Sequence, residues 1–274
     1  MFNYMKYEIK GTYKYIAGVL ALVLILITGL YIYGDRAAEG SFGGGLFVAL
    51  SVMILFGTTL VTFFYIVGSF RKELYEDRGY LTFTLPLKGI QIVGAKLVVA
   101  LLWFFLLGII VALYNLVMML SFTPFELNLS DLISGITSFI SVREIILGII
   151  ITIFSGVNIL VLIYFSMTLG KITFRNKRIG GLWFVIFLVL SGILAFGQLR
   201  IETLLPFYID FDTFKVVTNA VMNPEFYVEY GNNGLDTRVS GGYPLNIAGT
   251  LYNIVITVAL FLGAGYLIEK KIDL

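Results

Sequence analysis

The 274-residue chain contains no cysteine and no histidine. The first absence removes disulfides, thiolate catalysis and cysteine metal sites. The second removes the commonest general base and metal ligand, and with it any Ser-His or Cys-His pair. Charge is scarce too. Asp, Glu, Lys and Arg make up 13% of the residues, against about 25% in an average soluble domain. The net charge of +2 is too small to mark a nucleic-acid partner. Hydrophobic residues reach 59%, with a mean hydropathy of +0.95. A water-soluble fold with this composition would lack the polar surface to cover itself. The sequence therefore points to an integral membrane protein, all-α, in one transmembrane domain over residues 1–274.

Six apolar runs are each near or above the roughly 20 residues that a membrane helix needs. They cover about 15–33, 46–69, 97–120, 145–170, 179–199 and 246–268, and no Asp, Glu, Lys or Arg falls inside these limits. No cleavable signal is expected, because the first run is long enough to remain as a span. The N-terminal tail, the 70–96 loop, the 171–178 loop and the C-terminal tail together carry 14 of the 19 Lys and Arg. The positive-inside rule makes this group cytoplasmic, with both termini inside. The short basic KITFRNKR loop is the clearest vote for that orientation.

In residues 1–14, Phe2, Met5, Ile9, Tyr13 and Ile16 fall on one helical face, with Lys6, Lys10 and Lys14 beside it. This pattern predicts an amphipathic helix lying in the membrane interface. The outer side receives three segments. Residues 34–45 read as a simple glycine-rich connection. In 121–144, Leu127, Leu129, Leu132 and Ile133 are spaced to pack a short helix against the membrane. The largest, 200–245, is read as one or two short helices followed by an exposed loop or short hairpin from Asn223 to Tyr243. Aromatic residues at span ends suit interface belts.

The missing chemistry narrows the function. There is no G-x-x-x-x-G-K-[ST] phosphate loop. The spans hold no carboxylate, base or metal ligand for membrane catalysis, and no charged group for ion coupling. The chain is not expected to be an enzyme, to bind a metal or to carry a cofactor. Nothing supplies a charged selectivity ring, and no Gly/Pro-broken repeat marks a secondary transporter. The energy for any uphill movement would have to enter from a partner.

The place for it to enter is Phe70–Lys96, FRKELYEDRGYLTFTLPLKGIQIVGAK, which carries eight of the 36 charges. RKELYEDR favours a short helix, with Lys72 and Glu76 at i, i+4. Gly79 is placed to end it, and Pro86 stops any continuation and biases Leu85 towards an extended shape. The segment YLTFTLP offers apolar surface outside the spans, which usually means a partner.

The run E-x-x-x-D-x-G-Y-L-T-F-T-L-P from Glu73 to Pro86, with Lys96 at the mouth of the next span, resembles the permease subunits of bacterial type 2 ABC exporters. The motif covers about 25 residues; the order of six spans, N-terminal helix and long segment before the last span agrees over the whole chain. The resemblance implies a half-transporter in the bacterial plasma membrane. It would pair with a second permease, identical or not, and with two cytosolic ATPase subunits that hold ATP and Mg. It implies a coupling helix at Glu73, Leu74, Tyr75, Glu76, Asp77 and Arg78, ended by Gly79, and a docking turn from Tyr80 through Leu85 to Pro86. One departure is Lys88, where many relatives of that family place a small hydroxyl residue. Neutral groups would line the path, with Thr58, Thr59, Thr62, Asn115, Asn158 and Asn253 as candidates. Each of these could equally bond backbone or a neighbouring helix. Such a path suits an amphipathic or hydrophobic cargo: a drug, a lipid-like molecule or, as the family suggests, a peptide antibiotic. The alternatives are a secondary transporter or channel, or a membrane scaffold or sensor that docks a cytosolic partner without moving cargo.

Overall fold

A computed structural model describes residues 1–37, 41–76, 87–122, 142–173, 181–209, 215–218, 225–231, 234–240 and 245–271. Six helices dominate: α1 (Phe2–Ala37), α2 (Ser41–Tyr75), α3 (Gly89–Phe122), α4 (Val142–Thr173), α5 (Leu182–Leu204) and α6 (Ile247–Lys271). All six are long and apolar enough to cross a bilayer. Large apolar side chains stand exposed along them, among them Ile25, Met53, Phe56, Phe64 and Phe105, and α5 buries none of its residues. Apolar surface on this scale is stable facing hydrocarbon and not water. The chain has the make-up of a multi-pass membrane protein.

The helices outrun the apolar stretches. At about 1.5 Å per residue, the 36 residues of α1 span about 54 Å, well beyond a hydrocarbon core of about 30 Å. The expected interfacial helix is therefore not a separate element. Residues 2–14 continue into the first span, because no proline or paired breaker stands between Lys14 and Tyr15. The buried face differs too. Tyr4, Thr12 and Ile16 are buried, with Glu8 half-buried on the same stripe, whereas Phe2 and Tyr13 are exposed. Lys6, Lys10 and Lys14 do face outward.

The chain forms two compact units. The first comprises residues 1–127, 167–180 and 264–274. In it α1 lies between α2 and α3. Contacts step in opposite directions along α1 and α2, from Tyr4–Glu73 through Tyr15–Tyr65 to Tyr31–Phe47, so these two helices are antiparallel. Along α1 and α3 they step together, from Glu8–Lys96 through Thr12–Trp103 to Thr28–Tyr114, so these two are parallel. Val23 and Ile27 pack with Val111 and Met118 at one level, and Tyr4 with Ile92 and Ala95 at another. The start of α3 also meets the C-terminal end of α6. A Cβ on Gly89 would collide with the Gly265 carbonyl, and one on Gly265 with Ile90. Only two glycines allow backbones to approach so closely.

The second unit comprises residues 128–166 and 181–263. Here the expectation of short helices in 200–245 is corrected. Pro206 cannot continue α5. The chain turns through Phe207 N–H donating to Leu205 O at 2.8 Å and enters a three-stranded antiparallel sheet, order β2–β1–β5. The strands are β1 (Phe207–Ile209), β2 (Val216–Thr218) and β5 (Leu245–Asn246). Aromatic and β-branched residues fill the first two, as strands prefer. A hairpin of β3 (Glu225–Gly231) and β4 (Gly234–Ser240) lies between, in register from Glu225 opposite Ser240 to Gly231 opposite Gly234. This is the short hairpin expected in Asn223–Tyr243. The short helix expected in 121–144 falls mainly outside the described residues.

Candidate functional site

Two arrangements bear on function, one in each unit. In the first, three charges from three helices converge. The buried Lys96 ammonium on α3 donates to Glu8 Oε1 on α1 at 2.7 Å and lies 3.1 Å from Glu73 Oε2 on α2. Two hydroxyls complete the network. Ser69 Oγ donates to Glu8 Oε1 at 3.0 Å, and Tyr4 Oη donates to Glu73 Oε2 at 3.0 Å. One turn along α1, Thr12 Oγ1 donates to the Glu8 carbonyl and accepts the Trp103 indole N–H at 2.9 Å. The formal charge of the three ionised groups is −1. A cavity of about 350 Å³ lies beside them, between α1 and α2, with Gly11, Tyr65, Gly68 and Lys72 in its wall.

This network braces both ends of the 77–86 segment. On the α2 side, Phe70 and Leu74 are buried, and Tyr75 Oη donates to the Met167 carbonyl at 3.0 Å while Lys171 lies over its ring. On the α3 side, Gln91 Oε1 accepts the Lys88 backbone N–H at 3.2 Å, half of a capping box. A small hydroxyl at position 88 would supply the other half, which Lys88 cannot. Of the expected coupling residues, Glu73 and Leu74 thus point into the protein, Tyr75 is tied to α4, and Glu76 is exposed. Asp77, Arg78, Gly79, Tyr80, Leu85 and Pro86 lie outside the described residues. The sequence reading noted Lys96 at the mouth of a span and Glu73 in the motif, but missed Glu8. The signal was there: Glu8 is the one acid among the first 14 residues, four positions from both Tyr4 and Thr12.

The second arrangement is a cavity of about 720 Å³ in the other unit, walled by α4, α5, α6 and the β1–β5 pair. Leu147, Ile150, Ile151 and Phe154 of α4 line it with apolar surface, which Asn158 on the same helix interrupts; Asn253, Tyr208, Gln198 and Glu202 add further polar groups. Tyr208 and Asn246 reach it as register partners of β1 and β5. Asn246 also caps α6: its Oδ1 accepts the Gly249 N–H at 2.8 Å, and its Nδ2 donates to Leu205 O at 3.1 Å. Glu202 packs against Gly249, where any Cβ would strike its carboxylate. Gln198 Nε2 donates to Glu202 Oε1 at 2.8 Å. Glu202 lies in the last turn of α5, whose own dipole disfavours a carboxylate there, while the start of α6 packed against it favours one.

Of the six expected path residues, Thr58, Thr59, Thr62 and Asn115 belong to the first unit and Asn158 and Asn253 to the second. Asn158 and Asn253 share the larger cavity; Asn158 Nδ2 donates to Thr257 Oγ1, which donates to the Asn253 carbonyl. Thr58 lines a separate apolar groove between α1 and α2, its hydroxyl bonded to Ile54 O. Thr59 is bonded to Leu55 O, and Asn115 Nδ2 to Val111 O. Thr62 is fully buried, and its hydroxyl has no hydrogen-bond partner among the described residues. Gln198 and Glu202 went unnoticed because they sit at the edge of an apolar run, where charge reads as the end of a span.

No protein-family signature, curated protein or solved structure matches this chain.

Proposed function

We propose that the chain is the membrane-spanning permease subunit of an ATP-driven exporter. It works with a second permease and with separate cytosolic ATPase subunits, which hold the ATP and Mg. Its basic segments and both termini face the cytoplasm. The observation that carries the reading is the bracing of the 77–86 segment. A force applied there reaches α2 and α3 at points joined through Lys96, Glu8 and Glu73 to α1. Three helices held by one ionic network move as a body, and the switching of packed helices as bodies is how such machines work. A segment that merely connected two spans would have no need of a three-helix brace beneath it.

The brace also refines which residues a partner would meet. The Glu73 carboxylate is engaged with Lys96 and Tyr4, so its loss would disturb the lever as well as any docking. The test therefore replaces Glu76, Asp77 and Arg78 together by alanine. Co-purification of a cytosolic ATPase with the tagged wild-type chain is expected, and at least a tenfold drop with the triple variant. Equal recovery from both would sink the coupling role. Cargo efflux that survives inactivation of the ATPase and follows a proton gradient would make the chain a secondary transporter instead.

A further inference from the structure

The cavity of the second unit has an unusual polarity for a site between membrane helices. Its volume of about 720 Å³ is that of a small-molecule pocket. Most of its wall surface is apolar, but the lining includes one carboxylate, Glu202. Glu202 makes no ion pair with any described lysine or arginine. Its neighbour Arg200 is exposed and lies over the Phe196 ring at 5.1 Å. The groups around Glu202 fix its position. Gln198 donates a hydrogen bond to it and the first turn of α6 lies against it, while the helix's own Gly249 N–H is already taken by Asn246. The carboxylate is thus positioned and hydrogen-bonded but has no counter-cation among the described residues. A half-buried carboxylate so placed is a natural anchor for a cation.

We propose that this cavity binds an amphipathic organic cation, with its ammonium or guanidinium group against Glu202 and its apolar part along Leu147, Ile150, Ile151 and Phe154. Asn158 and Asn253 also line the cavity and offer amide groups to the polar part of the ligand. A wholly hydrophobic ligand would leave Glu202 and the amides unsatisfied. A small inorganic cation would leave the aliphatic wall empty. Only a molecule with both characters uses both ends. If the exporter reading holds, this names the chemical class of its cargo, and the earlier expectation of an uncharged path is replaced by one with a single anionic anchor. The binding step itself requires no ATPase.

The test uses the full chain in phosphatidylcholine nanodiscs, with a fluorescent decylamine derivative as probe and its N-acetylated, neutral counterpart as control. Saturable binding above that to empty nanodiscs is expected for the amine, weakened about tenfold or more in Glu202→Gln, the size of a lost charge-assisted contact. Binding of the neutral probe should be weaker than that of the amine in the wild type and unchanged by the substitution. Ile150→Trp, which fills the cavity from its apolar wall, should weaken the amine while leaving Glu202 in place. Elution of both variants at the wild-type volume in size-exclusion chromatography checks that they fold. Equal affinity of wild type and Glu202→Gln for the amine, or no saturable binding by the wild type, overturns the proposal. Failure here with the ATPase complex intact would leave the permease reading standing. Binding without any ATPase partner would do the reverse.

Discussion

Replacing Lys96 by methionine probes the brace most directly. Methionine keeps much of the stem length and removes only the ammonium. Lys96 is 3% exposed, and the Glu8 and Glu73 side chains are 13% and 14% exposed, so solvent screens the resulting imbalance poorly. The Ser69 and Tyr4 hydroxyls would remain as donors to two facing carboxylates. Removing one partner of a buried ionic network costs about 3–5 kcal/mol, because the surviving charges are left uncompensated. That is roughly a 10²- to 10⁴-fold loss in the folded-to-unfolded ratio. The companion variant Glu8→Gln/Glu73→Gln/Lys96→Met removes all three charges and keeps the shape. Neutral replacement of a whole buried network is often close to cost-free, so the triple variant should recover most of the loss. Unfolding would be followed in mixed micelles of mild and denaturing detergent by the fluorescence of Trp103, whose indole donates to Thr12 beside the network, in a Trp183→Phe background. A loss under about 1 kcal/mol for Lys96→Met, or a triple variant as unstable as the single one, would refute the claim that these charges bind the three helices together.

Two further substitutions test the ends of the same unit. Gly265→Ala places a methyl group against the Ile90 backbone and should cost about 1–3 kcal/mol in the same assay, as overpacking does. Gly108→Ala, with open space around it in mid-helix, should be stabilising by about 0.5–1 kcal/mol; a loss at Gly108 as large as that at Gly265 would show that the close approach is not the cause. Lys88→Ser completes the capping box that Gln91 leaves half-made and should raise stability by about 1 kcal/mol, a gain that Gln91→Ala should reduce; no gain would mean that Lys88 is not the N-cap of α3.

The helices were legible because lipid imposes one rule on backbone: satisfy every hydrogen bond within the segment. Uninterrupted apolar runs of span length leave little other choice: four of the six runs fall wholly within helices, and 179–199 and 246–268 begin just ahead of α5 and α6. Their ends were not legible, because charge and polarity mark where lipid stops and not where a helix stops. Glu8, Glu73 and Lys96 illustrate the difference. Each lies beyond the apolar limit of its run, yet each is inside a helix and turned towards its two partners. Residues 88 positions apart, Glu8 and Lys96, cannot be paired from local pattern, since the pairing depends on α1 and α3 running parallel past α2. The strands β1, β2 and β5 were missed for another reason. Their segments hold two or three residues, too short for period-2 alternation to separate them from helical turns, and Pro206 as a stop signal was the available clue.

The same distinction bears on where work can be done in such a chain. The apolar stretches, matched to lipid, hold no group that could receive energy or discriminate a ligand by charge. The polar groups that could do so lie at helix ends, and the two arrangements described use them differently. The Lys96 network is closed on itself: both carboxylates share the one ammonium, each also accepts a hydroxyl, and methionine and glutamine could replace the charged groups at little cost in stability. A network so bonded makes a stiff joint and a poor binding site. Glu202 is anchored by Gln198 and the start of α6 but has no cation among the described residues, which makes a poor joint and a good binding site. On this argument, substitutions at Glu8, Glu73 or Lys96 should act on stability and on transmission through α2 and α3, while Glu202→Gln should act on ligand affinity with little change in stability. A Glu202→Gln protein as unstable as Lys96→Met would show that the carboxylate serves the fold and not a ligand.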